Sequence, residues 1–78
     1  MINQEQIRAA RAMLKWTSKD LAEKANLSLP TIQRMEGKKG TGSSLGKNLI
    51  AVQKALEKAG IIFIAADDNN GAGVRFKK

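Results

Sequence analysis

The chain predicts a mainly α domain of about four helices with a C-terminal β-hairpin. Three observations carry this reading. Apolar residues recur at helical spacing from Ile7 to Ala59. Ile2/Ile7, Trp16/Leu21 and Leu27/Ile32 each flank a good capping residue, Asn3, Thr17 or Ser28. After Gly60 the pattern changes to short β-branched and apolar runs around a polar turn. The expected division is a helical unit over residues 1–60 and a hairpin over residues 61–78.

The first helix takes Ile7, Ala10 and Leu14 at i, i+3 and i+7, with Arg11 inside the same stripe. Asn3 is its N-cap, Gln6 completes a capping box, and Ile2 and Ile7 form a hydrophobic staple. Trp16, Thr17 and Leu21 repeat the pattern for a helix over Ser18–Ala25, with Asp20 as the box partner. Leu27, Ser28 and Ile32 repeat it for Leu29–Glu36. Pro30 falls in that helix's first turn, where a missing N–H loses no bond. Gly37 predicts a left-handed stop.

Only Asn26-Leu27-Ser28 separates the second and third helices. So tight a joint needs a left-handed residue near its start, which Asn tolerates. Leu27 is expected to point inward, and the two helices must cross steeply, as in a helix-turn-helix. Lys38 to Ser44 reads as a Gly- and Ser-rich loop. Leu45, Leu49, Val52, Leu56 and Ala59 then predict a fourth helix over about 44–59, ended by Gly60. Ile61–Ala66 reads as a strand that is apolar on both faces, 67–73 as a turn, and Val74–Lys77 as a strand with one wet face. An isolated hairpin is barely stable, so this one docks on the helices or pairs with another chain.

Composition narrows the function. The 78 residues carry 14 Lys plus Arg against 7 Asp plus Glu, a net +7. Residues 37–60 hold most of the surplus, with Lys38, Lys39, Lys47, Lys54 and Lys58 against Glu57 alone. Such a balance favours an anionic partner. No Cys means no disulfide or thiolate site, and no His removes the commonest general base and metal ligand. No apolar run reaches the ~18 residues of a membrane span, and the polar start lacks a leader pattern. The expectation is a cytoplasmic binding domain and not an enzyme, with no cofactor, no metal, no membrane and no small-molecule substrate. Gly40-Thr41-Gly42-Ser43-Ser44-Leu45-Gly46-Lys47 fails the spacing of a phosphate loop, and Asp67-Asp68-Asn69-Asn70-Gly71 lacks the alternation and distal Glu of a Ca²⁺ loop.

Four segments together resemble a known family: Arg8-Ala9-Ala10-Arg11-Ala12-Met13-Leu14-Lys15-Trp16-Thr17, Leu21-Ala22, Asn26-Leu27-Ser28, and Thr31-Ile32-Gln33-Arg34-Met35-Glu36-Gly37. The chain resembles the lambda-repressor/Cro-like (XRE-type) helix-turn-helix DNA-binding domains over roughly residues 3–59. The resemblance implies a lambda-repressor-like bundle with its third helix in the major groove of double-stranded DNA. It also implies a buried Arg11–Glu36 salt bridge. Ser18 stands where the family usually has a phosphate-touching Gln, Asn26 where it usually has Gly, and Leu29-Pro30 where many members have Gln or Ser.

Residue chemistry then assigns roles. Arg34 suits guanine O6 and N7, or else a phosphate or solvent. Gln33 suits adenine or a phosphate, and Leu29 and Pro30 suit thymine methyls, although Pro30 also serves simple helix-start chemistry. Ser28 is first a cap, to which the resemblance adds a groove contact. Thr17, Ser18 and Lys19 at a helix N-terminus favour phosphate, as do Arg8, Thr31, Lys38, Lys39, Ser44 and Lys47. Ile62, Ile64, Val74 and Phe76 are the expected contacts of a homodimer. The function expected is a sequence-specific transcriptional regulator, a small repressor. The alternative is a protein-interaction module, such as an antitoxin that holds a partner protein through the hairpin.

Overall fold

The computed structural model describes residues 2–37, 40 and 46–78. Its elements are α1 (Gln4–Leu14), α2 (Ser18–Ala25), α3 (Leu29–Glu36), α4 (Gly46–Lys58), β1 (Ile61–Ile64) and β2 (Gly73–Phe76). The strands form one antiparallel pair with register Ile61↔Phe76, Ile62↔Arg75, Phe63↔Val74 and Ile64↔Gly73.

Local side-chain chemistry starts the first three helices. Asn3 Oδ1 accepts from the Gln6 backbone N–H at 2.8 Å, and Gln6 Oε1 accepts from the Asn3 N–H at 2.8 Å. Thr17 and Asp20 make the same reciprocal pair at 3.0 and 2.8 Å. Ser28 Oγ accepts from the Thr31 N–H at 3.3 Å. α1 ends on a left-handed Lys15 (φ 60°) and α2 on a left-handed Asn26 (φ 57°, ψ 44°). The Leu27 N–H donates back to the Ala22 carbonyl at 2.9 Å, which closes the joint into α3. Leu27 is half-buried and packs against the core from this turn.

Three sequence expectations need correction. Gly37 is extended (φ −85°, ψ −170°), not left-handed. A Cβ there would sit 3.2 Å from the Gln33 carbonyl oxygen, a tight approach that would make the end of α3 give by a few tenths of an ångström, so closeness and not an unusual φ favours glycine here. β1 stops at Ile64, two residues before Ala66, and β2 runs one residue earlier than Val74–Lys77. At the Ile64–Gly73 end of the ladder, Gln6 Nε2 donates to the Ile64 carbonyl at 3.2 Å and the Gly73 carbonyl at 3.0 Å. These are the carbonyls of the last pair in the ladder, so their bonds end on a helix side chain. Beyond them, Asp67 Oδ1 accepts from the Asn69 and Asn70 N–H groups at 2.8 and 2.7 Å. Those two backbone bonds hold the exposed Asp67 carboxyl below its ordinary pKa. α4 is described from Gly46, so the expected start at Ser44 and Leu45 lies outside the described residues. Its end is clear: Gly60 follows with φ +103°.

The core gathers under all four helices. Ile7, Leu21, Ile32, Met35, Val52 and Leu56 have essentially no exposed surface. Burial of each contributes about 1.5–3 kcal/mol. α2 packs on both α3 and α4, α1 on α3 and β2, and α4 on β1. The hairpin therefore lies across α1 and α4. Strand pairing puts Ile61, Phe63, Val74 and Phe76 on its inner face and Ile62, Ile64 and Arg75 on its outer face.

Gln6 is buried, with each side-chain heteroatom bonded. Gln6→Leu would leave two carbonyls and one N–H without partners. We expect a loss of about 2–3 kcal/mol, read by urea unfolding. Hydrogen exchange should accelerate more in the hairpin than in α2 and α3; uniform acceleration would show that Gln6 does not hold the hairpin.

Candidate nucleic-acid interface

α3 has two faces with opposite fates. Ile32 and Met35, three residues apart, are fully buried, and Leu29 is half-buried. Pro30, Gln33 and Arg34 fall at i, i+3 and i+4 on the other side and are exposed. Small Ala22, buried in α2 beneath the joint, lets α3 come close. The helix cap Ser28 is exposed, and its hydroxyl lies 2.8 Å from that of Thr31. Ser28, Leu29, Pro30, Gln33 and Arg34 thus lie on one short helix and its cap, with Leu29 turned partly inward.

The far end of α3 is fastened by charge. Glu36 Oε2 accepts from Arg11 Nε at 2.7 Å, and Glu36 Oε1 accepts from the Ser18 hydroxyl at 2.8 Å. Arg11 Nη1 also donates to the Trp16 carbonyl at 2.9 Å. The Glu36 side chain is 8% exposed and that of Arg11 22%, so this pair is largely out of water. Arg8 Nη1 donates to the Glu36 backbone carbonyl, while Arg8 Nη2 lies 3.5 Å from Glu5.

These bonds reassign two expected phosphate ligands. The Ser18 hydroxyl hydrogen goes to Glu36, so Ser18 has only its backbone N–H left to donate. Arg8 is tied to Glu5 and to the end of α3. Thr17 and Lys19 remain exposed at the N-terminus of α2. Asp20 sits in the same first turn and partly offsets the positive helix end. Lys19, Arg34 and Lys47 have no carboxylate partner among the described residues. Lys38, Lys39 and Ser44 lie outside the described residues. The four expected dimer contacts do not form one patch: Ile62 and Ile64 share the outer face, whereas Val74 packs against the core of its own chain and Phe76 shares its side.

A family model described as helix-turn-helix matches residues 7–60. The chain belongs to the lambda-repressor/Cro-like (XRE-type) helix-turn-helix family. It is thereby a DNA-binding helix-turn-helix regulator in general type. Among curated proteins no relative matches the chain. No helix among the described residues is long and apolar enough to cross a membrane.

Two features were not read as partners from the sequence. Gln6 serves the hairpin as well as its own helix cap; its place on the buried stripe with Ala10 was the available signal, since a polar residue there needs partners. Lys24 Nζ lies 5.9 Å from the centre of the Trp16 ring, a contact between α2 and the residue that precedes its cap.

Arg11→Met strands the Glu36 carboxylate in a largely dry site. We expect a destabilisation of about 3 kcal/mol, and Arg11→Met/Glu36→Leu should recover part of it. Urea melts of the three proteins decide: a single-variant loss under about 1 kcal/mol would place the pair among weak surface bridges.

Proposed function

We propose that the protein is a sequence-specific double-stranded-DNA-binding transcriptional repressor that reads the major groove with the outer face of α3. The observation that carries this reading is the stripe Pro30–Gln33–Arg34, exposed on a helix whose opposite face is locked in the core. The Arg34 fork matches guanine O6 and N7, and the Gln33 amide matches adenine N6 and N7. Pro30 and the exposed part of Leu29 supply apolar contact for thymine methyls. Lys19, Thr17, Lys47 and the N–H groups that open α2 and α3 contact phosphates, with Lys38, Lys39 and Ser44 of the intervening segment alongside. Arg8 acts through α3. Occupancy of the site is enough to repress, because a bound domain excludes other proteins from the same groove.

One domain covers few base pairs, so the reading includes a homodimer on half-sites about one helical turn apart. The outer hairpin face supports it: Ile62 is 41% and Ile64 40% exposed, beside strand edges that pair with no third strand among the described residues. The same exposure, with Phe76 at 50%, favours a second reading in which the hairpin holds a partner protein, as in an antitoxin.

Selection of bound sequences from random duplex DNA tests the first reading directly, with a palindrome as the expected result. Affinity should fall with salt at a log–log slope of about −0.9 per phosphate contact. Arg34→Ala and Gln33→Ala should each lose about 1–3 kcal/mol of base discrimination at one position of the selected site. Unchanged preference in both would remove α3 as the reader.

The hairpin is tested by light scattering. Ile64→Lys should convert a dimer to a monomer with unchanged helical circular dichroism, and it should weaken binding to the two-half-site DNA. A wild-type monomer at micromolar concentration would shift the hairpin to the partner-protein reading.

A further inference from the structure

DNA binding leaves unused a cleft between the C-terminal ends of α2 and α4. It has a volume of about 310 Å³ and is lined by Trp16, Lys24, Ala55, Lys58 and Ala59. That volume sits at the small end of the range for small-molecule sites. The floor is apolar: the half-buried Trp16 indole and two half-buried alanines, whose small side chains leave the space open. The rim is cationic. Lys24 and Lys58 are both exposed, and neither has a carboxylate partner among the described residues. Each stands in the last turn of its helix, where the carbonyl end favours a cation. The Lys24 ammonium lies 5.9 Å from the Trp16 ring centre.

We propose that this cleft binds a small aromatic carboxylate. Its ring lies against Trp16 over Ala55 and Ala59, and its carboxylate meets Lys24 and Lys58. Each part of the ligand answers one part of the site. An apolar floor with a Trp face rewards a flat ring. Two ammonium-bearing side chains line the same cleft with no carboxylate among its lining residues, and an anion there meets two positive charges. A bare inorganic anion gains nothing from the floor, and a neutral ring gains nothing from the lysines. None of the α3 residues takes part, so the site stands or falls apart from the DNA-binding reading.

Trp16 is the only tryptophan of the chain, which makes its fluorescence a local reporter. The chain of residues 1–78, without DNA, is titrated with phenylacetate. A saturable change with a Kd of about 1 mM is expected for a ligand of this size. Phenylacetamide, equal in shape but neutral, and acetate, equal in charge but without the ring, should each bind at least about ten-fold more weakly. Lys24→Gln and Lys58→Gln should each weaken phenylacetate about five-fold. Both side chains are exposed, and circular dichroism checks that the folds are intact. A non-saturating response overturns the proposal. So does an equal response to phenylacetamide or to acetate, or an unchanged Kd in both lysine variants. DNA retention by the same preparation is measured separately, and its loss would bear on the α3 reading alone.

Discussion

A carboxylate taken out of water must be met by donors or it destabilises the fold, and Glu36 is the point where this chain meets that demand. Arg11 of α1 takes one oxygen and Ser18 of α2 the other, while Arg8 takes the residue's backbone carbonyl. One residue at the end of α3 therefore touches two other helices. α3 needs such a tie. It has eight residues, is about 12 Å long, and is too short to persist alone. Ile32 and Met35 give it a buried side, but apolar contact is non-directional. The Asn26 turn sets where the helix begins, and the Glu36 bonds set where it ends. Two fixed ends and one buried side leave a single orientation for Pro30, Gln33 and Arg34.

A second constraint joins the hairpin to the helices. Four residue pairs do not make a self-supporting sheet in water. Its inner residues lie on α1 and α4, and Gln6 closes the open end of the ladder. The same amide group serves the cap of α1 through its oxygen and the strands through its nitrogen. The start of the first helix and the far end of the last element are therefore one hydrogen-bonded unit. The outer face, with Ile62 and Ile64, is turned outward by contacts on the opposite side.

What the sequence made legible was the local chemistry. Both capping boxes, the Ser28 cap and the left-handed Asn26 rest on residues within five positions of one another, and each appears as expected. What escaped depended on distance along the chain. The carbonyls of the last strand pair are met by Gln6, 58 residues from Ile64 and 67 from Gly73. The Ser18 hydroxyl is claimed by Glu36, 18 residues on, although its place at a helix start pointed to phosphate. Gly37 shows a different limit. A glycine signals either a positive φ or a close approach, and sequence alone does not separate the two. The hairpin shows a third: alternation sorts a strand into two faces, but only the register says that Ile62 shares a face with Ile64 and not with Val74.

The basic residues divide according to what lies within reach. Arg8 and Arg11 on α1 face the end of α3, where a carboxylate and a free carbonyl wait, and both become part of the scaffold. Arg34 projects from the opposite side of the same helix and meets no carboxylate among the described residues. Identical guanidinium groups thus stand in opposite surroundings, and the difference lies only in which side of α3 they occupy. Charge count alone therefore overstates the surface available to an anion. A net +7 includes two arginines already engaged, and Asp20 tempers the helix start where Lys19 stands. In the proposed complex, the grip on phosphate falls to lysines such as Lys19 and Lys47, and base reading falls to one arginine and one glutamine. That arrangement suits a groove reader: long lysines adapt to the backbone, while the residues that must be placed accurately sit on the helix that is most firmly held.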